Sequence, residues 1–452
     1  MLLFYHLKKF LKGIGIDKSI AYSSGSRIIA AISGVLTIVF IASYLTKEQQ
    51  GFYYTFGSIV ALQVFFELGL TNILTQFVAQ ENAGIVWKSD LIINKHSKHH
   101  SRIAHLIRFV TKWYFIISII FLISLLSGGI WFFNTYSPEV DSTTWIGPWF
   151  LISIATTLNL LLSPYISILS GLDYIKETSR ISFFVSIFNP IAIWISFFLQ
   201  MGLYSLGIGY LVSFITSLTI IIFSKLFRIL KEAYRSVITN RINYKKEIFP
   251  YQWKIALSWA SGYFVFQLFN PVLFATSGPI IAGQMGMTLS AVNGVASLSS
   301  SWISTKIPLF SKLIALKEYS HLDNLFSKTF KELGIICGVL LFLFFLLILS
   351  LRVANISFAN RFLPIIPLTL LEIAILANQF GNCWAVYLRC HLKEPLLVNA
   401  IVGAISCALS TFLLGKYFGA IGMCTGYCIL RIILSIWNYH VFKNKKNQWH
   451  CN

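Results

Sequence analysis

The 452-residue chain carries 36 Lys/Arg against 16 Asp/Glu, a formal net charge of +20, yet only 12% of it is charged and 56% is hydrophobic. Soluble domains carry about twice that share of charge, so a soluble enzyme or nucleic-acid-binding protein is excluded, and a mean hydropathy of +0.72 indicates a polytopic membrane protein. The length is therefore counted in apolar spans of about 20 residues, not in soluble domains.

In chain order, residues 1–19 (MLLFYHLKKFLKGIGIDKS) form a basic amphipathic stretch that lacks a signal-cleavage pattern. It is expected on the inner membrane surface, with Lys8, Lys9 and Lys12 toward headgroups. Apolar runs follow at 20–44, 52–79, 113–133, 144–170, 181–200, 203–223, 255–276, 279–301, 333–351, 362–388, 397–414 and 417–440. They are too long and too uniformly apolar for barrel strands, so each reads as a transmembrane helix. The basic segment 224–254 divides them into a six-helix bundle over 20–223 and another over 255–440, followed by a basic cytoplasmic tail over 441–452.

Charge fixes the orientation. With a cytoplasmic N-terminus the inner segments hold 30 Lys/Arg and 11 Asp/Glu. The outer segments hold four basic residues (Lys47, Arg352, Arg361 and Lys416) and three acids (Glu48, Glu139 and Asp141). Thirty against four is a strong positive-inside bias, so both termini are expected in the cytoplasm. The basic loops then face anionic membrane lipids, which accounts for the charge without nucleic acid.

Two matches suggest a duplication. Lys176-Glu177 corresponds to Lys393-Glu394, and Tyr204, Ile208, Gly209 and Phe214 correspond to Tyr417, Ile421, Gly422 and Tyr427. Six spans per half leave both halves in the same orientation. The expected fold is all-α, with about 12 transmembrane helices in two six-helix bundles related by a pseudo-two-fold axis along the membrane normal. Glycines 415, 419, 422 and 426 read as close-packing positions around the last turn.

Little in the sequence points to catalysis. Phosphate-loop, HExxH and GxSxG patterns are missing, so no enzyme activity and no cofactor is expected. The seven cysteines form no CxxC pair, and Cys424 and Cys428 read as packing residues. KHSKHH at 95–100 reads as a solvated basic loop in preference to a metal site. The larger inner loops, 80–112, 224–254 and 302–332, read as amphipathic surface helices.

Ionisable groups within spans usually face a cavity or a partner. Arg27 in the first span and Glu67 in the second fall at depths that allow contact. They read either as a mutually neutralising pair or as a substrate-binding arginine controlled by protonation of Glu67. Glu372 is a second ion-coupling candidate. Arg431 reads either as a snorkelling residue or as a cavity cation. Gln267, Asn270, Gln284, Asn293, Asn378, Gln379 and Asn382 are candidate cavity polar residues, with helix–helix hydrogen bonding as the alternative.

Residues 44–81 (YLTKEQQGFYYTFGSIVALQVFFELGLTNILTQFVAQE) and 282–315 (AGQMGMTLSAVNGVASLSSSWISTKIPLFSKLIA) resemble the first hairpins of the two halves of bacterial O-antigen flippases. These are polysaccharide-biosynthesis exporters of the multidrug/oligosaccharidyl-lipid/polysaccharide superfamily. The resemblance implies flipping of undecaprenyl-pyrophosphate-linked sugar units by ion-driven alternating access, with Arg27 and Arg431 as pyrophosphate-binding candidates. It also implies association with a polysaccharide polymerase and a chain-length regulator. A small-molecule antiporter of the same superfamily and a membrane-embedded glycan polymerase or ligase are the competing readings. The outer loops are short for a polymerase, and two acids against two arginines do not suit a cationic drug.

Overall fold

The computed structural model describes residues 18–85, 87–88, 91–92, 98–391 and 393–450. Most of the N-terminal amphipathic stretch, positions 95–97 of the histidine-rich motif and Cys451 lie outside them. The helices, in order, are α1 (Lys18–Tyr44), α2 (Lys47–Val60), α3 (Gln63–Glu67), α4 (Leu70–Asn82), α5 (Lys98–Tyr136), α6 (Thr143–Gly171), α7 (Ile175–Phe198) and α8 (Tyr204–Ile222). There follow α9 (Lys225–Arg235), α10 (Tyr244–Glu247), α11 (Phe249–Phe266), α12 (Phe269–Ser304), α13 (Ile307–Ala315), α14 (Tyr319–Val353), α15 (Ile365–Arg389) and α16 (Leu397–His450), with a 3-10 turn at Ser357–Arg361 before α15. A two-residue antiparallel ladder, β1 (Trp87–Lys88) with β2 (Leu91–Ile92), is the only sheet among the described residues.

Nine of the described helical stretches are long and apolar enough to cross a membrane, or ten if the bent pair Lys47–Glu67 and Leu70–Asn82 is one span. Two of them contain a glycine with non-helical torsions, Gly278 (φ 84°) and Gly419 (φ 58°). Counting either side of each break separately gives the twelve segments expected. Gly278 falls between the expected ends of spans seven and eight. At Gly419 helix α16 folds back on itself. The Asn399 amide donates to Asn438 at 3.0 Å, and Gly403, Gly415 and Gly426 lie against Leu434, Met423 and Ser410 respectively. The terminal glycines thus act as close-approach positions.

One expectation about a single span needs correction. The run 52–79 is not one straight helix: it bends by 42° because Leu68 (φ 51°) and Gly69 (φ 65°) are both left-handed. Two consecutive left-handed residues end one helix, and glycine accepts that conformation without penalty. Beyond 440, where the last span was expected to end, α16 stays helical to His450. Its end is tied down by Lys446 on Asp323 at 2.8 Å and by stacking of His450 on Tyr319 at 4.1 Å.

The chain forms two compact units. The first comprises Met1–Ser33, Leu62–Phe133 and Val140–Trp259. Its centre is α6, which packs on α4, α7 and α8. Trp145 and Trp149 are fully buried. The Trp149 indole N–H donates to the Leu125 carbonyl at 3.1 Å, and Gly129 leaves the space that ring occupies.

The second unit comprises Gly34–Ala61, Asn134–Glu139 and Ala260–Asn452. It differs from a chain-order half by including α2. The cause is a glycine contact. A Cβ on Gly51 would lie 2.6 Å from the carbonyl carbon and 2.9 Å from the Cα of Pro279, and one on Gly283 would lie 2.8 Å from the Gly51 nitrogen. Such approach needs residues without side chains. Helix α2 opens with a capping box in which Thr46 and Gln49 exchange two 3.1 Å hydrogen bonds.

Besides Leu68, four helices end on a non-glycine left-handed residue: Asp173, Gln200, Lys317 and Asn355. Each is followed by the hydrogen bond that closes a Schellman turn, as from Met201 N–H to Ser196 O at 2.9 Å. Gln200 is exposed, so Gln200→Gly removes left-handed strain at little packing cost. It is expected to stabilise the protein by about 0.5–1 kcal/mol. Thermal unfolding in detergent checks this, and an unchanged or lower midpoint would contradict it.

Candidate transport site

In the first unit, Glu67 is the last residue of α3, directly before the left-handed pair. Its carboxylate accepts a short hydrogen bond from the Thr71 hydroxyl on α4, so the acid is tied across the break. Arg27 is exposed on α1 and does not pair with it. The expected Arg27–Glu67 contact is therefore not formed, because Thr71, one turn away, holds the carboxylate instead.

A second charged cluster in this unit was not singled out from the sequence. Arg102 on α5 donates to Glu81 at the end of α4 at 2.7 Å and to Glu247 on α10. His99 Nδ1 lies 2.8 Å from Glu81. Partial burial disfavours the Glu247 carboxylate, but the Arg102 guanidinium and the Asn243 N–H outweigh it and hold its pKa below the usual range. Positions 98–100 are thus helical and not a solvated loop: His100 is buried, while His99 stays half-exposed beside Glu81. Their signal was an Arg and His pair lying close in sequence to Glu81, which becomes visible only once the chain turns between α4 and α5.

The remaining candidates belong to the second unit. Arg431 on α16 lies beneath two rings, its guanidinium carbon 5.1 Å from the Tyr427 centroid and 5.7 Å from that of Phe266. Stacking on aromatic faces suits the planar, weakly hydrated guanidinium. Its Nε and Nη2 are buried and meet no acceptor among the described residues. A snorkelling side chain would carry these donors to water, whereas here they are enclosed by protein. Tyr427 precedes Arg431 by one helical turn, a spacing readable in the sequence.

Glu372 on α15 is 7% exposed, and its Oε1 is buried without a partner among the described residues. Gln379, two turns further along the same face, is also buried and accepts from Ser300 on α12 at 2.9 Å. Asn270 donates to Ser58 at 3.0 Å while its own carbonyl oxygen is buried without a donor. Gln284 donates to the Asn360 carbonyl at 2.9 Å. Asn270, Gln284 and Gln379 are therefore engaged in helix–helix or helix–loop bonds. Gln267 is half-buried at the break between α11 and α12, Asn293 and Asn378 are half-buried, and Asn382 is exposed.

With this geometry in view, comparison with known proteins becomes informative. No protein-family model and no curated protein sequence matches the chain. Solved structures do. An inward-facing multidrug-resistance MATE transporter of the MOP superfamily superposes with a TM-score of 0.65 at 12% identity, over 96% of this chain and 99% of the other. The lipid II flippase MurJ, in an inward closed conformation, gives 0.58 at 14% identity over 94% and 87%. The MATE multidrug transporter DinF-BH, solved as a complex, gives 0.58 at 13% identity over 95% and 96%.

The chain is accordingly a multi-pass helical membrane protein whose fold is similar to that of these transporters. In fold alone this agrees with the resemblance carried by residues 44–81 and 282–315. The O-antigen branch is a finer statement and belongs to the proposal that follows.

Proposed function

We propose that the protein flips undecaprenyl-pyrophosphate-linked oligosaccharide repeat units, of O-antigen or a related surface polysaccharide, from the inner to the outer leaflet of the cytoplasmic membrane, driven by an ion gradient. The observation that carries this reading is Arg431, a guanidinium within an apolar helix with two buried N–H donors unmet among the described residues. A pyrophosphate diester bears about two negative charges, whose unassisted passage through hydrocarbon is prohibitive. Arginine remains charged and binds phosphate oxygens in pairs. A cationic drug would instead be repelled by it. Arg27, exposed on α1 and outside any ion pair with Glu67, is the second cation of this reading. A polysaccharide polymerase and a chain-length regulator are the expected partners.

The test is a lipid extract from a strain lacking the gene, with the side of any lipid-linked glycan read by an impermeant glycan-specific probe on intact spheroplasts. Completed units inaccessible from outside support flipping. Accessible units point to a polymerase or ligase, and normal surface polysaccharide without accumulation points to a small-molecule exporter.

Ion coupling falls to Glu67 and Glu372. A carboxyl enclosed without a counter-charge is costly to ionise, so closing water off from it couples burial to ion binding. Glu67→Gln and Glu372→Gln are expected to lower transport about tenfold or more in at least one case, at unchanged membrane insertion. Wild-type transport in both variants would refute the coupling role.

A further inference from the structure

We propose that the outer end of the second unit carries an anion-binding site built on Arg361 and Arg352, suited to phosphate groups presented at the outer leaflet. The proposal rests on the cytoplasmic orientation of both termini argued from charge, and not on the identity of the cargo.

The positive-inside rule keeps basic residues off the outer side. Of the four that remain there, two lie in the segment around the 3-10 turn, and positions 352–364 contain no acid. Arginines placed against the topogenic bias and without a local counter-ion call for a physical reason.

The loop that carries them is built rigidly. Four successive carbonyls are each held by a side chain. Asn360 O accepts from Gln284 at 2.9 Å and Arg361 O from Gln50 at 3.0 Å. Phe362 O and Leu363 O accept from Arg352 Nη2 at 3.3 and 2.7 Å. The Leu363 N–H donates to Thr288, itself fully buried, at 3.0 Å. Gln50 is 1% exposed, and its amide also donates to Gly283 O at 2.8 Å. This network fixes the backbone, but it leaves the cations largely unused. Arg361 Nη1 makes one 3.3 Å bond to Gln50 Oε1, and among the described residues no carboxylate pairs with it. Partial burial without a counter-ion draws its pKa below the usual arginine value. Arg352 Nε is buried with no acceptor among the described residues.

A fixed, half-buried guanidinium with free donors matches phosphate or pyrophosphate oxygens, which accept paired N–H bonds. Two sources offer this chemistry at the outer leaflet: the headgroup of an anionic phospholipid and the pyrophosphate of a newly flipped carrier.

The test uses full-length protein carrying Asn360→Cys, labelled with an impermeant maleimide against the unsubstituted protein as background. On spheroplasts, labelling from outside supports the placement. Labelling only after permeabilisation overturns the outer location, while the binding assay below still judges the site. In phosphatidylcholine nanodiscs, inorganic pyrophosphate is expected to protect the substituted position. Arg361→Gln is expected to raise the concentration needed at least tenfold, and Arg431→Gln to leave it unchanged. Arg361→Lys keeps the charge and reports on folding: it should melt as the parent does and retain protection. Equal protection in Arg361→Gln and the parent, or none in the parent, overturns the site. Adding phosphatidylglycerol assigns the source. A higher pyrophosphate requirement identifies lipid headgroups as occupants, and an unchanged one identifies the non-lipid phosphate.

Discussion

Arg431→Gln is expected to insert and melt like the parent protein yet to lose transport by about two orders of magnitude. Among the described residues the guanidinium makes no ion pair, and its buried Nε and Nη2 bond to nothing. Removing it therefore breaks no ion pair and costs only its contacts with Tyr427 and Phe266, while glutamine relieves a desolvated charge. A residue that costs stability where it stands is retained for another reason, and unmet donors between two aromatic faces favour an anion. One charged hydrogen-bonded contact to phosphate contributes about 1.5–3 kcal/mol, so loss of a two-donor contact corresponds to about a hundredfold. Arg431→Lys separates charge from geometry: a point charge on a flexible stem cannot reproduce the paired donors, so only partial recovery is expected. Accumulation of inward-facing lipid-linked glycan in cells carrying each variant is the measurement. Full transport by Arg431→Gln would remove the observation on which the proposed function stands.

Gly51→Ala is expected to be among the most damaging single-methyl additions in the chain. The new Cβ would meet backbone atoms of Pro279, not the end of a side chain that can swing aside. Relief requires α2 and α12 to separate, which also breaks the Gln50 bonds to Gly283 and Arg361. Overpacking of this kind costs about 3 kcal/mol or more, enough to deplete a marginally stable protein. Gly57, on the same helix, has open space where its Cβ would lie, so Gly57→Ala serves as the control and should be tolerated. The yield of monodisperse protein in mild detergent and its melting temperature decide the matter. Equal behaviour of the two variants would show that the glycine contact does not hold α2 in place.

The fold was largely legible because membrane spans are written in composition. Twelve apolar runs map onto twelve helical segments, and the boundary placed between 276 and 279 coincides with the Gly278 break. What escaped was local backbone geometry. A window of hydropathy sees residues 52–79 as continuous. The bend depends on Leu68 adopting a conformation unusual for its type, and only Gly69 hinted at it. Among candidate site residues, the intramembrane charges stand out in the sequence, but their partners were not readable. Thr71 binds Glu67 at an i,i+4 spacing that a continuous helix would also bring together, but Arg27 draws attention as the charged candidate. Polar residues in spans carry two meanings, and only coordinates showed that Asn270, Gln284 and Gln379 each bond to another helix or loop, whereas the ionisable Glu372 and Arg431 keep buried polar atoms unmet among the described residues. Gln50 was passed over as one residue in a polar cap, although it fastens a loop more than 300 positions away (|i−j| = 311).

The membership of α2 in the second unit has a consequence for biogenesis. The ribosome delivers Lys47–Val60 early, but the surface that receives it, α12, begins at Phe269. While roughly half of the protein is being made and inserted, Gln50, Thr55 and Ser58 lack the neighbours that bury them, and polar groups facing lipid carry a free-energy penalty. The nascent first half is therefore an incomplete assembly with a sticky helix, dependent on being shielded until the chain is nearly finished. Chains stalled within 224–254 should be recognised by membrane quality control and degraded, whereas supplying residues 255–452 as a separate polypeptide should rescue them by providing α12 in trans.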